Sequence, residues 1–494
     1  MEEQKSGFYQ VLKATSLFGG VQVVTIFFSI LRTKVAAVLL GPAGMGIVGL
    51  FNSTLDFFGS ATNFGLATAA VRNLSIIPAD GSDEELGRQV AIIQNLALIT
   101  GTVGVSVVIL LSPFLSQLVF GSDEYFWAFI FLSITLFFNQ VLSGKMAMIQ
   151  GLRKLSLLAQ STMANAFFSV LIAVPLYYFF GMEGIVPAII LISLSSLLGA
   201  FYFSRKLSYP IVKVSLIQSL SEGKEMLKLG FFIGLSGLFS LGSAYLLRLV
   251  INKIGSLEDV GLYNAGFAMI NTYVGLIFTA MATDYFPRLS SAISDKGKFS
   301  QVVNHQMEVS ILLLGPILCW FIVLINPIII LLYSNAFVRI NEMLLWSALG
   351  MLFKAFGWCL GYIILTKGSS TFFFRNEMIA LIYQFLLNLA GYYFWGLKGL
   401  GIAFFAGYIL YSIQVLGVSI WRFDIKVNPR ISFKFFLFLC LTSLCLISFY
   451  FLEKGFLYYA IGIFLSCLAS IYSLVQLNRS VDILSKLKNK VFRN

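Results

Sequence analysis

Apolar residues run along this chain in long blocks, not in the alternation of a half-buried strand or the single stripe of a surface helix. A bilayer core about 30 Å thick is crossed by roughly 20 apolar residues in a helix. Fourteen blocks meet that length: 11–39, 44–72, 89–111, 125–150, 156–180, 184–204, 228–252, 259–287, 302–332, 340–366, 372–396, 399–421, 434–452 and 456–477. In hydrocarbon each backbone donor and acceptor has to be satisfied within the protein, so the blocks are read as transmembrane helices. The first run, from Val11 to Leu31, is too long for the apolar core of a signal peptide and follows Glu2, Glu3 and Lys5; it is expected to remain as an uncleaved helix.

The polar residues between blocks set the orientation, because Lys and Arg in short loops stay on the cytoplasmic side. With the N-terminus inside, 25 of the 34 basic residues fall at the inner face, in groups such as Arg153 and Lys154, Arg205 and Lys206, and Lys486, Lys488, Lys490 and Arg493. The outer loops keep four: Lys253, Arg339, Lys398 and Lys454. Both termini are therefore expected in the cytoplasm of a cell with an inner membrane.

An internal repeat organises the blocks. A shift of 215 residues places Leu12-Lys13 on Leu227-Lys228 and Gly46 on Gly261, then runs without a gap to Leu74-Ser75 on Leu289-Ser290. One extra residue in the seventh block places Leu31-Arg32 on Leu247-Arg248. The offset spans an even number of helices, so the two copies share an orientation and a pseudo-two-fold axis runs along the membrane normal. The expected class is an all-α polytopic membrane protein of about 14 transmembrane helices. Its expected parts are a six-helix bundle at 1–204, a connector at 205–227, a second six-helix bundle at 228–421, a linker at 422–433, and a helical hairpin with a basic tail at 434–494.

Charges inside a span cost at least about 2.5–3.5 kcal/mol on insertion scales and so call for a partner, water or a function. Arg32 ends a stripe of Gln22, Thr25 and Ser29 that shares one helical face. That face is expected to line an aqueous cavity, the alternative being packing against a polar face of a neighbour. Arg248 is the repeat mate of Arg32, with Gly234, Gly237 and Ala244 on its side of the helix; close packing by small residues explains those glycines as well. Lys354 sits near the middle of its span, whereas Lys34 and Lys145 lie nearer span ends, where the interface is within reach. Asn52, Asp56, Gly59 and Asn63 form a second stripe. Asp56 is read as half of a structural ion pair with an arginine of the first span, or as a coupling carboxylate. Its repeat equivalent is Asn271. Glu308, Glu342 and Glu377 are read as helix-dipole partners in the first turns of their spans, and His305 as interfacial.

Composition adds little to this picture. With 58% apolar and 11% charged residues the chain lies outside the soluble range. The net charge of +12, which in a soluble protein would suggest nucleic acid, is accounted for by topology. Cys319, Cys359, Cys440, Cys445 and Cys467 lie in apolar blocks without CxxC spacing and are read as small core residues, not disulfides or metal ligands. No P-loop, HExxH or GxSxG motif is present, and the longest outer loops are only about a dozen residues, so neither an enzyme nor a bound cofactor is expected.

Gly41-Pro42-Ala43-Gly44-Met45-Gly46 resembles the turn after the first helix of Wzx-type O-antigen and common-antigen flippases, in the polysaccharide-transporter branch of the MOP exporter superfamily. Leu331-Leu332-Tyr333-Ser334-Asn335-Ala336-Phe337, with Lys354, Gly361-Tyr362 and Lys367, is similar to the ninth-to-tenth helix region of the same proteins. The resemblance covers about residues 8–421. It implies a V-shaped, alternating-access bundle that moves an undecaprenyl-diphosphate-linked oligosaccharide from the inner to the outer leaflet. It also implies membrane lipids as surroundings, with a polysaccharide polymerase and glycosyltransferases as candidate partners. Arg32, Arg248 and Lys354 are then the expected seat of the diphosphate, and Gln22, Thr25, Ser29 and Asn63 would face the sugars. Twelve spans are usual in that family, so the last hairpin is a departure. The competing readings are a multidrug cation antiporter of the same superfamily, for which acidic cavity residues would be expected, and a non-transporting scaffold of a glycan-assembly complex.

Overall fold

The computed structural model describes residues 2–76, 83–207 and 209–481; Lys486, Lys488, Lys490, Arg493 and the terminal Asn494 lie outside the described residues. The described chain is helical: α1 (Glu2–Leu39), α2 (Gly41–Asn63), α3 (Leu66–Ile76), α4 (Asp83–Phe120), α5 (Phe126–Gly151), α6 (Leu155–Phe180), α7 (Ile185–Ser204) and α8 (Leu216–Ile254). There follow α9 (Leu257–Phe267), α10 (Leu276–Ser291), α11 (Lys296–Val323), α12 (Ile325–Leu332), α13 (Asn341–Lys367), α14 (Ser370–Phe423), α15 (Pro429–Phe451) and α16 (Phe456–Val481).

Eleven described stretches are long and apolar enough to cross a membrane. Two of them, Leu155–Ser204 and Ser370–Phe423, hold two spans each, divided by a 3-10 turn at Gly181–Gly184 and by Gly396 in the left-handed region (φ 57°). With α2 added, these are the fourteen spans that the hydrophobic blocks predict, and the chain is an all-α, multi-pass membrane protein.

Helix ends depart from block ends for a physical reason: hydropathy marks what lies in lipid, whereas caps mark where a helix starts. α8 begins at Leu216, twelve residues before its apolar block, because Ser215 and Gln218 form a reciprocal capping box. α4 begins at Asp83 with three acidic residues in its first turn, well placed for the helix dipole. These two extensions are joined where Arg88 Nε donates to Glu222 Oε2 at 2.8 Å. Inside the blocks, the second span breaks at Phe64-Gly65, both left-handed, and the eighth passes through a π-helical turn at Ala268–Val274. The GPAGMG run is a helix start more than a turn. Gly41 alone reverses the chain at φ 66°, and Pro42 then occupies the first turn of α2.

The contacts group the chain into two units: one runs to Gly261 and includes Leu332–Ser334, and the other comprises Leu262–Leu331 and the chain from Asn335 onward. In the first, Leu66, Ala70 and Leu74 of α3 pack with Ile92, Ile93 and Leu96 of α4 and Met148 and Ile149 of α5. α2 meets the start of α9 at backbone distance. A Cβ on Gly46 would lie 1.9 Å from the Leu257 carbonyl oxygen, and one on Gly261 would lie 1.8 Å from that of Pro42. Under the 215-residue shift Pro42 corresponds to Leu257 and Gly46 to Gly261. A contact of i with j matched by j with i is what a local two-fold relation produces.

In the second unit α11 and α13 form the core, with Leu312, Leu314, Leu318, Leu344, Leu345 and Leu352 fully buried. The hairpin of α15 and α16 packs directly on α11. The Phe438 ring occupies the space beside Gly315, and the Tyr458 hydroxyl donates to the Ile322 and Val323 carbonyls at 3.2 and 3.1 Å.

Candidate substrate-binding residues

In the first unit the polar stripe of α2 is inverted relative to a lipid-facing helix. Leu50, Phe51 and Leu55 are buried, while Asn52 and Asp56 are exposed and Gly59 and Asn63 half-buried. The Arg248 charge, from α8, acts on the Asp56 carboxylate. Arg248 also donates from Nη1 to the Ala244 carbonyl at 2.9 Å, one turn back along its own helix. Beside them the Tyr245 ring stacks on Phe57 with centroids 5.6 Å apart.

On α1, Gln22 is exposed, and Thr25, Ser29 and Arg32 are half-buried. Thr25 Oγ1 is enclosed without a hydrogen bond among the described residues. The Arg32 charge acts on Tyr177 of α6, a helix that packs along α1. Asn63 has a structural task as well: its Oδ1 accepts from the Leu66 backbone N–H at 2.9 Å, capping α3 after the break. Two lysines depart from the reading of snorkelling side chains. Lys145 is buried, 8% exposed, with Nζ 4.8 Å from the centre of the Phe201 ring; α7 covers it, and a cation–π contact replaces the reach to the interface. Lys34 donates to the Tyr333 carbonyl within the same unit.

In the second unit Lys354 of α13 is half-buried and donates from Nζ to Asn271 Oδ1 at 2.7 Å. Asn271 lies in the π-helical turn, a feature that recurs at functional sites because it redirects side chains within a helix. Phe278, Phe404 and Tyr408 surround the ammonium with ring centres 5.3–5.8 Å away. The repeat therefore places Asp56 beside the field of Arg248 in one unit, and gives Asn271, the residue equivalent to Asp56, an ammonium partner in the other.

Three carboxylates differ in their surroundings from simple dipole partners. Glu308 stands in the middle of α11, beyond its first turns, and pairs with Lys434. Glu377 accepts from the Tyr411 hydroxyl at 3.0 Å and from Asn376 Nδ2 at 3.2 Å, within a network that Gln414 extends. Glu342 does lie in the first turn of α13, and it also pairs with Lys398 at 3.5 Å. Asp284 and Arg288 form a local i,i+4 pair at 2.8 Å. Tyr411 and Gln414 carry no charge and sit among ordinary polar span residues, so spacing alone gave no reason to single them out, and the repeat that marks Asn271 does not show its partner Lys354.

Residues 35–342 match the family described as Polysaccharide biosynthesis protein. The chain is 22% identical over 416 residues to a protein named Lipid III flippase in Escherichia coli (strain K12), covering 81% of this chain and 96% of that protein. Among solved structures it resembles the Lipid II flippase MurJ in an inward closed conformation, with a TM-score of 0.72 and 14% identity over 94% of this chain and 99% of that one. It also resembles an inward-facing multidrug resistance MATE family transporter of the MOP superfamily, with a TM-score of 0.65 and 14% identity over 83% of this chain and 95% of that one. The fold is thus that of MOP-superfamily transporters.

Proposed function

The chain belongs to the polysaccharide biosynthesis protein family, and from that membership we propose that it is a flippase for an undecaprenyl-diphosphate-linked oligosaccharide, an O-antigen or related repeat unit. It acts by alternating access in the bacterial cytoplasmic membrane, with both termini inside, and has polysaccharide polymerase and glycosyltransferases as partners. The relative named Lipid III flippase supports a lipid-linked substrate.

The observation that carries the reading is the sign of the mid-span charges. Arg32, Arg248 and Lys354 place positive charge on three helices, and the one mid-span carboxylate of the α2 stripe, Asp56, lies in the field of Arg248. Two unit charges 4 Å apart gain about 4 kcal/mol at an effective dielectric of 20, before desolvation is subtracted. A phosphate that meets such a cation is held reversibly, as a carrier has to hold it. The MATE-like fold raises a multidrug cation antiporter as the second reading; these same cations oppose it, since they repel a cationic drug.

Charge reversal provides the test. An Arg32→Glu, Arg248→Glu double variant is expected to abolish glycan export while remaining inserted and monodisperse, and the corresponding lysine replacements are expected to do less harm. Full export by the double glutamate variant would remove the cationic-seat account.

A further inference from the structure

A cavity of about 800 Å³ lies within the second unit, between α11, the start of α15 and the end of α16. The charges that line it are Glu308, Arg430, Lys434 and Arg479, together with His305. Lys434 and Glu308 are bonded to each other with side chains 12% and 21% exposed, and they neutralise one another. The guanidinium groups of Arg430 and Arg479 make no ion pair or hydrogen bond among the described residues. These two arginines therefore leave the lining with two uncompensated positive charges.

The wall is fixed before any ligand arrives. Asn304 Oδ1 accepts from the Asn428 backbone N–H at 2.8 Å, and its Nδ2 donates to the Lys426 carbonyl at 3.0 Å, fastening the linker before α15 to α11. Asn428 in turn caps α15, accepting from the Arg430 N–H at 3.0 Å. A rigid wall with unpaired guanidinium groups suits phosphate, whose oxygens accept paired N–H bonds from arginine.

Exposed apolar residues flank this cationic lining. Phe433 and Phe436 on α15 are 66% and 61% exposed, and Ile471 and Leu474 on α16 are 63% and 66% exposed. Arg430 and Lys434 alternate with these phenylalanines, so the cationic ends are able to reach headgroups while the rings lie in hydrocarbon. A soluble anion has no use for an apolar flank, whereas a lipid lays its chains along one.

We propose that this cavity binds the phosphate of an anionic lipid headgroup, with the lipid's chains lying along the exposed faces of α15 and α16. The proposal rests on this geometry alone and stands or falls apart from the transport reading. It gives the last hairpin a task of its own.

The test is native mass spectrometry of the full-length protein released from detergent, with phosphatidylglycerol, phosphatidylcholine and inorganic phosphate as probes. Phosphatidylglycerol is expected to bind well above phosphatidylcholine. An Arg430→Gln, Arg479→Gln double variant is expected to lose about tenfold or more of that affinity, the equivalent of one charge-assisted contact. If the double variant does not fold, Arg479→Gln alone carries the test with a loss of about threefold. Equal phosphatidylglycerol binding by wild type and variant would overturn the proposal. So would equal binding of the two lipids, and displacement of phosphatidylglycerol by equimolar inorganic phosphate would assign the cavity to a free anion instead.

Discussion

Lys354 and Asn271 define the chemistry at the scale of single residues. Removing the ammonium in Lys354→Met leaves Asn271 Oδ1 without its donor and takes one positive charge from the span. Loss of a charged hydrogen bond is worth about 1.5–3 kcal/mol, so transport is expected to fall tenfold or more in a vesicle assay; unchanged transport would exclude Lys354 from the diphosphate seat. Asp56 gives the opposite expectation. Its carboxylate lies in the field of Arg248, and the equivalent position in the repeat is the amide Asn271. Asp56→Asn is therefore expected to retain partial transport at fixed membrane potential. Complete loss, together with strict dependence on a proton or sodium gradient, would make Asp56 a coupling site.

At the scale of elements, the reciprocal contact of α2 with α9 is the sharpest structural constraint. A side chain at Gly261 would meet the Pro42 carbonyl, and backbone cannot swing aside as a flexible side chain can. Overpacking of this kind costs about 1–3 kcal/mol. Gly261→Val is expected to lower the thermal midpoint in detergent by several degrees. Gly237→Ala, with nothing within 4 Å of the new methyl, should leave it level or raised; equal behaviour of the two variants would contradict the packing described. The helices themselves were legible because an apolar block of fixed length is imposed by the bilayer, and the Gly46 to Gly261 correspondence was legible from the repeat. Arg32, Arg248 and Lys354 stood out because a charge in such a block is costly. What pairs with each was not legible. Asn271 meets Lys354 across 83 positions of sequence, and Tyr411 meets Glu377 across the hairpin of α14, through packing that no local pattern encodes. Lys145 was misjudged for the same reason, since only α7 shows that it is covered.

The whole molecule is a multi-pass bundle whose proposed work is to carry a diphosphate outward. Fourteen spans bring both termini to one side, which the proposed topology makes the cytoplasmic one, so a reporter fused after Asn494 is expected to report cytoplasmic; an extracytoplasmic signal from intact protein would refute that topology. A diphosphate carries about two negative charges, and each gains roughly 2.3 kcal/mol per 100 mV on crossing the full field of an inside-negative membrane. Over a full cycle, in which the empty cationic cavity returns toward the cytoplasm, the potential therefore favours net outward transfer of the lipid without a dedicated acidic ion site. The measurement that bears most directly on this account is outward flipping of an undecaprenyl-diphosphate-linked oligosaccharide in vesicles reconstituted with the purified protein, read as headgroup accessibility with the potential imposed or collapsed. Flipping that requires the protein and slows when the potential is collapsed is the predicted result. A rate no greater than that of protein-free vesicles, alongside protein-dependent transport of a cationic drug, would contradict it.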